Sequence, residues 1–138
     1  MADIIKLARN LPIKGTAGTT YYQLITDSID VSPYDSIDWQ MTASTDFANG
    51  VTIDIITSMQ NTVDDISMGA SNPSWYTIGS ATLAGVAGVP YNRALSVPVS
   101  STGSPMLRWI RYQIKLNAGV SNALFTIEGL ARRGLRVG

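Results

Sequence analysis

The chain has 138 residues, with ten basic and ten acidic side chains, and it contains neither histidine nor cysteine. This length predicts one domain, residues 1–138, which can bury roughly 68% of its unfolded surface without a disulfide or a structural metal. The missing residue types exclude the common Ser–His and Cys–His nucleophile pairs and any thiolate metal site.

Charged residues make up only 14% of the chain, whereas soluble domains usually carry about 25%. A sparsely charged polar surface suits a protein that packs against neighbours, although an ordinary β-domain with a Ser/Thr-rich exterior fits equally well. Residues 1–92 carry three basic and nine acidic side chains, and residues 93–138 carry seven basic and one acidic. In an antiparallel β-fold we expect most of this asymmetry to cancel in space.

The N-terminal segment Ile4–Ile13 predicts an extended arm or an edge strand, because Pro12 cannot donate to a central ladder. A short amphipathic helix over Asp3–Asn10 is the alternative. The first residues lack the basic and apolar regions of a signal peptide, and no run approaches the ~20 apolar residues that span a bilayer. We therefore expect a chain made in the cytoplasm, with no membrane partner.

The central part of the chain alternates in the manner of half-buried strands. Tyr21–Val31 is rich in aromatic and β-branched residues, and Ser36–Ser44 and Val51–Met59 alternate apolar and polar positions. Asn49-Gly50 between the last two favours a turn with positive φ. The rest of this part predicts an irregular segment at Asn61–Pro73, with one helical turn at Val63–Met68, and short strands at Ser74–Ile78, Ala81–Ala84 and Leu95–Val99.

The strongest pattern is the pair of segments Pro105–Leu116 and Asn122–Arg133. Each alternates with a period of two, and a short Asn/Gly/Ser connection joins them. This pattern predicts an antiparallel hairpin, followed by a basic C-terminal tail. Eight or nine short strands without a long helix predict an all-β fold, an antiparallel β-sandwich with the jelly roll as the best single architecture.

Catalytic and metal-binding readings are weak. Paired carboxylates could hydrolyse glycosides and clustered oxygens could bind Ca²⁺, but aspartates at strand ends more often cap turns. We therefore predict no enzyme activity, no cofactor and no metal. The carboxylates considered are Asp27, Asp30, Asp35, Asp38 and Asp54.

Arginines and aromatic residues are the candidates for a contact surface. Nucleic-acid binding could use the basic residues, but Arg108 and Arg111 fall on opposite faces of one strand, so we expect pairing with aspartates of neighbouring strands instead. Aromatic and arginine side chains at a surface commonly anchor protein interfaces. The predicted interface residues are Trp75, Tyr76, Trp109, Arg111, Arg132, Arg133 and Arg136.

In architecture and composition the chain resembles the jelly-roll decoration (cement) proteins of tailed-phage capsids. The likeness rests on the N-terminal arm, the Trp39 and Val51–Met59 strands, the Pro105–Leu116/Asn122–Arg133 pair and the basic end. The resemblance implies a non-enzymatic virion protein that binds the outside of the shell and stabilises it. Its partners would be the major capsid protein or other virion proteins, and the protein itself would be a homo-oligomer (dimer or trimer), with no nucleic acid bound.

The alternative function is a carbohydrate- or receptor-binding β-sandwich, such as a tail or fibre component. The segment Arg108–Tyr112, followed by Thr126–Gly129, is similar to the closing strands of galactose-binding-like modules. In that reading Trp75, Tyr76 and Trp109 would be sugar platforms.

Overall fold

A computed structural model describes residues 2–24, 27–45, 49–59, 75–84, 92–95 and 106–132. These residues form nine strands and no α-helix. The strands are β1 (Ala2–Lys14), β2 (Thr20–Tyr22), β3 (Ile29–Asp30), β4 (Ser36–Thr45), β5 (Val51–Ser58), β6 (Tyr76–Leu83), β7 (Asn92–Leu95), β8 (Trp109–Leu116) and β9 (Asn122–Arg132).

The strands form two antiparallel sheets. Sheet 1 has the order β1-β9-β4-β7, and sheet 2 has the order β2-β8-β5-β6, with β3 also paired to β8. Both β2 and β3 lie antiparallel to β8, so they act as two pieces of one interrupted edge strand. When β2 and β3 are counted as one strand, each sheet has four strands. The strand order of the two sheets is then that of a jelly roll. The predicted fold class is confirmed.

The inner faces of the two sheets form the core, as the alternation predicted. Buried side chains occupy alternate positions of the long strands, because successive residues of a strand point to opposite faces. The rings of Tyr112 and Phe125 meet edge to face between the sheets, with centroids 5.3 Å apart. The predicted inward residues that are buried include Ile37, Trp39, Met41, Val51, Ile53, Ile55, Ile110, Tyr112, Ile114, Leu116, Phe125, Ile127 and Ala131.

The predicted hairpin of the last two strands is wrong. β8 and β9 have the expected bounds, but β8 lies in sheet 2 and β9 in sheet 1. The connection Asn117–Ser121 therefore crosses between the sheets instead of reversing within one. The alternation of a strand defines its buried face but not its neighbour, and five residues can also span the ~10 Å between packed sheets.

Several strand bounds also differ from the prediction. Tyr21–Val31 is not one strand but holds the short β2 and β3, and the two short strands expected at Ser74–Ile78 and Ala81–Ala84 are the single strand β6. β6 continues through Gly79 because Ile78 is an extra, bulged residue: Gly79 pairs with Ile55, and Thr77 with Ile56.

β7 ends at Leu95, where the strand Leu95–Val99 was expected to begin. Residues 61–73 and 96–100 lie outside the described residues, as does the basic tail beyond Arg132.

The N-terminal segment is an edge strand of its own sheet. β1 pairs antiparallel with β9 from Ala2↔Arg132 to Lys14↔Asn122. The edge position agrees with Pro12, and the alternative of a helix over Asp3–Asn10 is wrong. An arm detached from the domain was the other form expected, and residues 2–14 do not adopt it.

A candidate protein-interaction face

The exposed large apolar side chains concentrate on β1 and β9. Of seven such side chains in the described residues, four belong to these two strands: Ile4, Leu11, Leu124 and Leu130. Ile4, Leu124 and Leu130 lie on the outer side, whereas Leu11 is opposite the core residue Phe125. Ile4 is 71% exposed and Leu130 is 37% exposed. The two residues are cross-strand partners, so their Cβ atoms lie within about 5.5 Å. We call the outer side of the β1–β9 pair the β1–β9 face.

The face follows from the alternation of β9. Phe125, Ile127 and Ala131 point into the core, so Leu124 and Leu130 necessarily point out, together with the polar residues between them. Leu124 and Leu130 still expose 43% and 37% of their surface, so each leaves apolar area open to solvent. Ile4 and Leu130 are adjacent across the two strands and form one apolar patch, whereas Leu124 lies six residues away along β9. Contiguous patches mark interaction sites more often than scattered apolar residues do.

An open groove of about 410 Å³ lies on this face. Ile4 and Leu130 supply its apolar wall, and Gln40 and Glu128 supply polar lining. Its residues also include an ion pair: Arg132 Nη1 donates to Asp38 Oδ2. The groove therefore combines an apolar centre with a polar edge, the usual anatomy of a protein interface.

Beneath the groove, sheet 1 is tightly packed. Trp39 on β4 lies directly opposite Gly129 on β9, and both residues contribute to the groove lining. A Cβ atom at Gly129 would come within 2.7 Å of Ile37 Cγ2 and of Trp39 Cζ3. Glycine at this position therefore lets the Trp39 ring cross the neighbouring strand.

The outer side of sheet 2 is different, because the chain covers it. Ile56 and Trp75 form a second buried apolar cluster, with the half-buried Trp109 against it. The side chain of Arg111 is fully buried here. Its guanidinium carbon lies 4.4 Å from the centroid of Trp75, and its Nη1 donates to the carbonyl of Gln23 at 3.1 Å.

The predicted interface residues divide between these two environments. Trp75 is only 5% exposed and Arg111 is 0% exposed, so both contact the chain itself and not the solvent. Trp109 is half-buried, with the Arg108 guanidinium 5.2 Å from its ring centroid. Tyr76, on β6, is 57% exposed. Arg132 lies in the groove, and Arg133 and Arg136 lie outside the described residues.

The pairing of arginines with aspartates is confirmed for two of them. Arg108 Nη2 lies 3.4 Å from Asp30 Oδ2, and Arg132 pairs with Asp38. Asp30 also caps a turn, since its Oδ1 accepts from the N–H of Ser32 at 3.0 Å. This N–H holds the pKa of Asp30 below 3.8, with smaller contributions from the Ser32 hydroxyl and Arg108.

Two other titratable groups, Asp54 and Tyr112, have defined environments within sheet 2. Asp54 Oδ2 accepts from Gln113 Nε2 at 2.6 Å, and its Oδ1 pairs with the hydroxyl of Ser80. Burial raises the pKa of the Tyr112 hydroxyl above 10, and the charge of Asp27 raises it further. The described residues hold no group of three or more acidic side chains that could bind a metal ion.

Sequence reasoning missed Ile4 and Leu130. The sequence does contain evidence for Leu130. Leu124 and Leu130 are on the same side of the alternating strand as the polar residues Thr126 and Glu128. Two apolar residues on the polar side of an alternating strand predict exposed apolar surface, although single residues of this kind are common on protein surfaces.

Comparisons with known proteins do not assign the chain. No family model and no curated protein matches the sequence. Within the described ranges, no helix is long and apolar enough to cross a membrane.

Proposed function

We propose that this protein is a non-enzymatic structural protein of a virion, a capsid decoration protein that binds the outside of the shell and stabilises it. The observation that carries the proposal is the exposed apolar groove at Ile4 and Leu130 on the β1–β9 face. We assign this face to the major capsid protein or another virion protein of the shell.

The chemistry of the face supports a protein partner. Burial of Ile4 and Leu130 against a partner contributes about 25 cal/mol for each Å² of apolar surface removed from water. The polar rim, Gln40 and the Asp38–Arg132 pair, can exchange hydrogen bonds with water for hydrogen bonds with the partner. Three charged residues, Asp38, Glu128 and Arg132, line the groove, so the partner must supply polar groups that offset their desolvation.

Stabilisation then follows from mass action. A protein that binds the assembled shell, and not the free capsid subunits, shifts the equilibrium towards the shell by RT ln(1 + [L]/Kd). The added protein needs no reaction and no cofactor. Copies spread over many equivalent sites multiply this effect on the particle.

The alternative, a carbohydrate-binding module, loses support from the aromatic residues. A sugar platform requires an exposed aromatic ring, but Trp75 is buried and Trp109 is half-buried beneath Arg108. Tyr76 is the predicted platform that remains exposed. We therefore place shell binding first and keep glycan binding as an outcome of the test.

The test is to delete the gene from the virus that encodes the protein and to heat the resulting particles. Particles without the protein should release their DNA at a lower temperature, and purified protein added back should restore the original temperature. Unchanged particle stability, combined with specific binding of the free protein to a glycan, would replace the proposal by the carbohydrate-binding alternative.

A further inference from the structure

The edge of sheet 1 formed by β1 has two unlike halves. Within the described part of the chain, β1 pairs on one side only, with β9. It has 13 residues, whereas strands are usually five or six residues long. The other side of such a strand presents backbone N–H and C=O groups that can pair with another chain.

The second half of β1 carries the features that block edge pairing. The register with β9 shifts between Lys6 and Ala8 and again between Ala8 and Leu11. Asn10 has φ of 45°, and its N–H is bound to Thr126 Oγ1 at 3.0 Å. Pro12 follows, with no N–H to donate. Bulges and prolines of this kind are how proteins protect exposed edges.

The first half has no register shift and no proline, and its charged side chains are Asp3 and Lys6. Residues 2–6 pair with β9 in continuous register, from Ala2↔Arg132 to Lys6↔Glu128. We propose that a second copy of this chain binds here, through antiparallel pairing of the two β1 strands about a two-fold axis at Ile4. The two copies of sheet 1 then form one continuous sheet.

The register of sheet 1 supports a second copy as the occupant. A two-fold axis perpendicular to the sheet keeps outward residues outward and sets Ile4 opposite its own copy. The cross-strand row Asp38–Leu130–Ile4 then continues into its symmetry mate. The four apolar side chains of the two copies lie together at the centre of this row, with an aspartate at each end.

The charges permit this pairing. Lys6 faces Glu128 within its own chain, and in the joined sheet it lies opposite Ala2 of the second copy. Asp3 lies opposite Ile5 of the second copy and keeps its own partner, since Tyr34 Oη donates to Asp3 Oδ2 at 2.9 Å. No like charges stand opposite each other between the two β1 segments. The formal net charge of zero adds no overall repulsion between copies.

The symmetry closes at two copies, because each β1 edge is used once. Five paired residues make a small interface, so we expect a weak dimer that assembles at high protein concentration. This dimer does not depend on shell binding, and it goes beyond the proposed function.

Disulfide trapping in the full chain tests the pairing, since the chain has no cysteine of its own. In Ile4→Cys the two thiols face each other across the axis, where Cα atoms of opposite residues are about 4.5–5.5 Å apart, within disulfide reach. In Lys6→Cys the same atoms are separated by four residues along the strand, about 14 Å, and cannot be bridged. Leu124→Cys is the control for an exposed thiol elsewhere on the face.

We expect oxidised dimer from Ile4→Cys to form at least tenfold faster than from the other two variants. Equal rates for the three variants, or faster coupling of Lys6→Cys, would overturn the pairing. Sedimentation of the unmodified protein supplies the second measurement: a dimer at high concentration that Ile4→Lys weakens at least tenfold is expected. A protein that is monomeric or trimeric at every concentration would contradict it.

The two proposals can fail separately. If Ile4→Cys couples but added protein does not stabilise the particles, the decoration function fails and the dimer stands. If particles are stabilised without preferential coupling of Ile4→Cys, the dimer fails and the decoration function stands.

Discussion

The two outer sides of the sandwich differ in how far their apolar residues are buried. On sheet 2 the chain covers them itself: Trp75 packs against Ile56, and the buried Arg111 guanidinium lies against the Trp75 ring. On sheet 1 the cross-strand pair Ile4 and Leu130 is open to solvent. The first arrangement stabilises the domain, whereas the second contributes little to folding. On this difference rests the proposal that the β1–β9 face binds a partner.

The largest loss of stability should come from removing the Trp75 side chain that packs on the outer side of sheet 2. Trp75→Ala deletes a buried ring and its contact with a buried cation, so we expect the free energy of unfolding to fall by about 3 kcal/mol. Ile4→Ala on the other sheet, at a side chain that is 71% exposed, should change it by less than about 0.5 kcal/mol. Urea unfolding of both variants measures the contrast. Equal losses would show that the two outer sides do not differ in this way.

A smaller effect should come from the layer beneath the β1–β9 face. Gly129→Ala places a Cβ within 2.7 Å of Trp39 and Ile37, so overpacking should lower the free energy of unfolding by about 1–3 kcal/mol. Glu128→Ala, one residue away and directed outwards, is the control. The loss should shrink when Trp39→Leu is combined with Gly129→Ala, because the two positions are directly coupled. A fully additive double variant would argue against the contact.

The smallest expected effect is on the pKa of Asp30, an exposed carboxylate near the edge of sheet 2. The native pKa of Asp30 should lie below 3.8, because the Ser32 N–H stabilises its charged form. A depressed native pKa means that Asp30 contributes stability above pH 3.8, and that this stability is lost as the pH falls through the native pKa. NMR titration gives the value directly. Arg108→Gln should raise this pKa only in part, since Ser32 remains. Titration at or above 3.8 would contradict the geometry.

The alternation of the sequence was sufficient to predict the buried faces. Ile37, Trp39 and Met41 are inside because a strand with one buried side must place its apolar residues at every second position. The turn at Asn49-Gly50 was also readable, and Gly50 has φ of 61°. Both features depend on residues that are close in sequence.

Pairings between distant residues could not be read in this way. β8 and β9 are consecutive in the chain but belong to different sheets, which no local pattern distinguishes from a hairpin. Trp75 covers Arg111 from 36 positions away in the sequence. Both residues therefore looked like surface anchors, when they are buried against each other. The β1–β9 face likewise emerged only when the register placed Ile4 beside Leu130.

Binding of variants to particles stripped of the protein tests the central claim most directly. Leu130→Asp puts a charge into the apolar groove of sheet 1, and Tyr76→Asp puts the same charge on the exposed aromatic of sheet 2; both sites are solvent-exposed, so both variants should fold. Co-sedimentation with the particles should show that Leu130→Asp loses binding at least tenfold, while Tyr76→Asp binds as the unmodified protein does. Loss of binding by Tyr76→Asp with full binding by Leu130→Asp would contradict the account and move the contact surface to sheet 2.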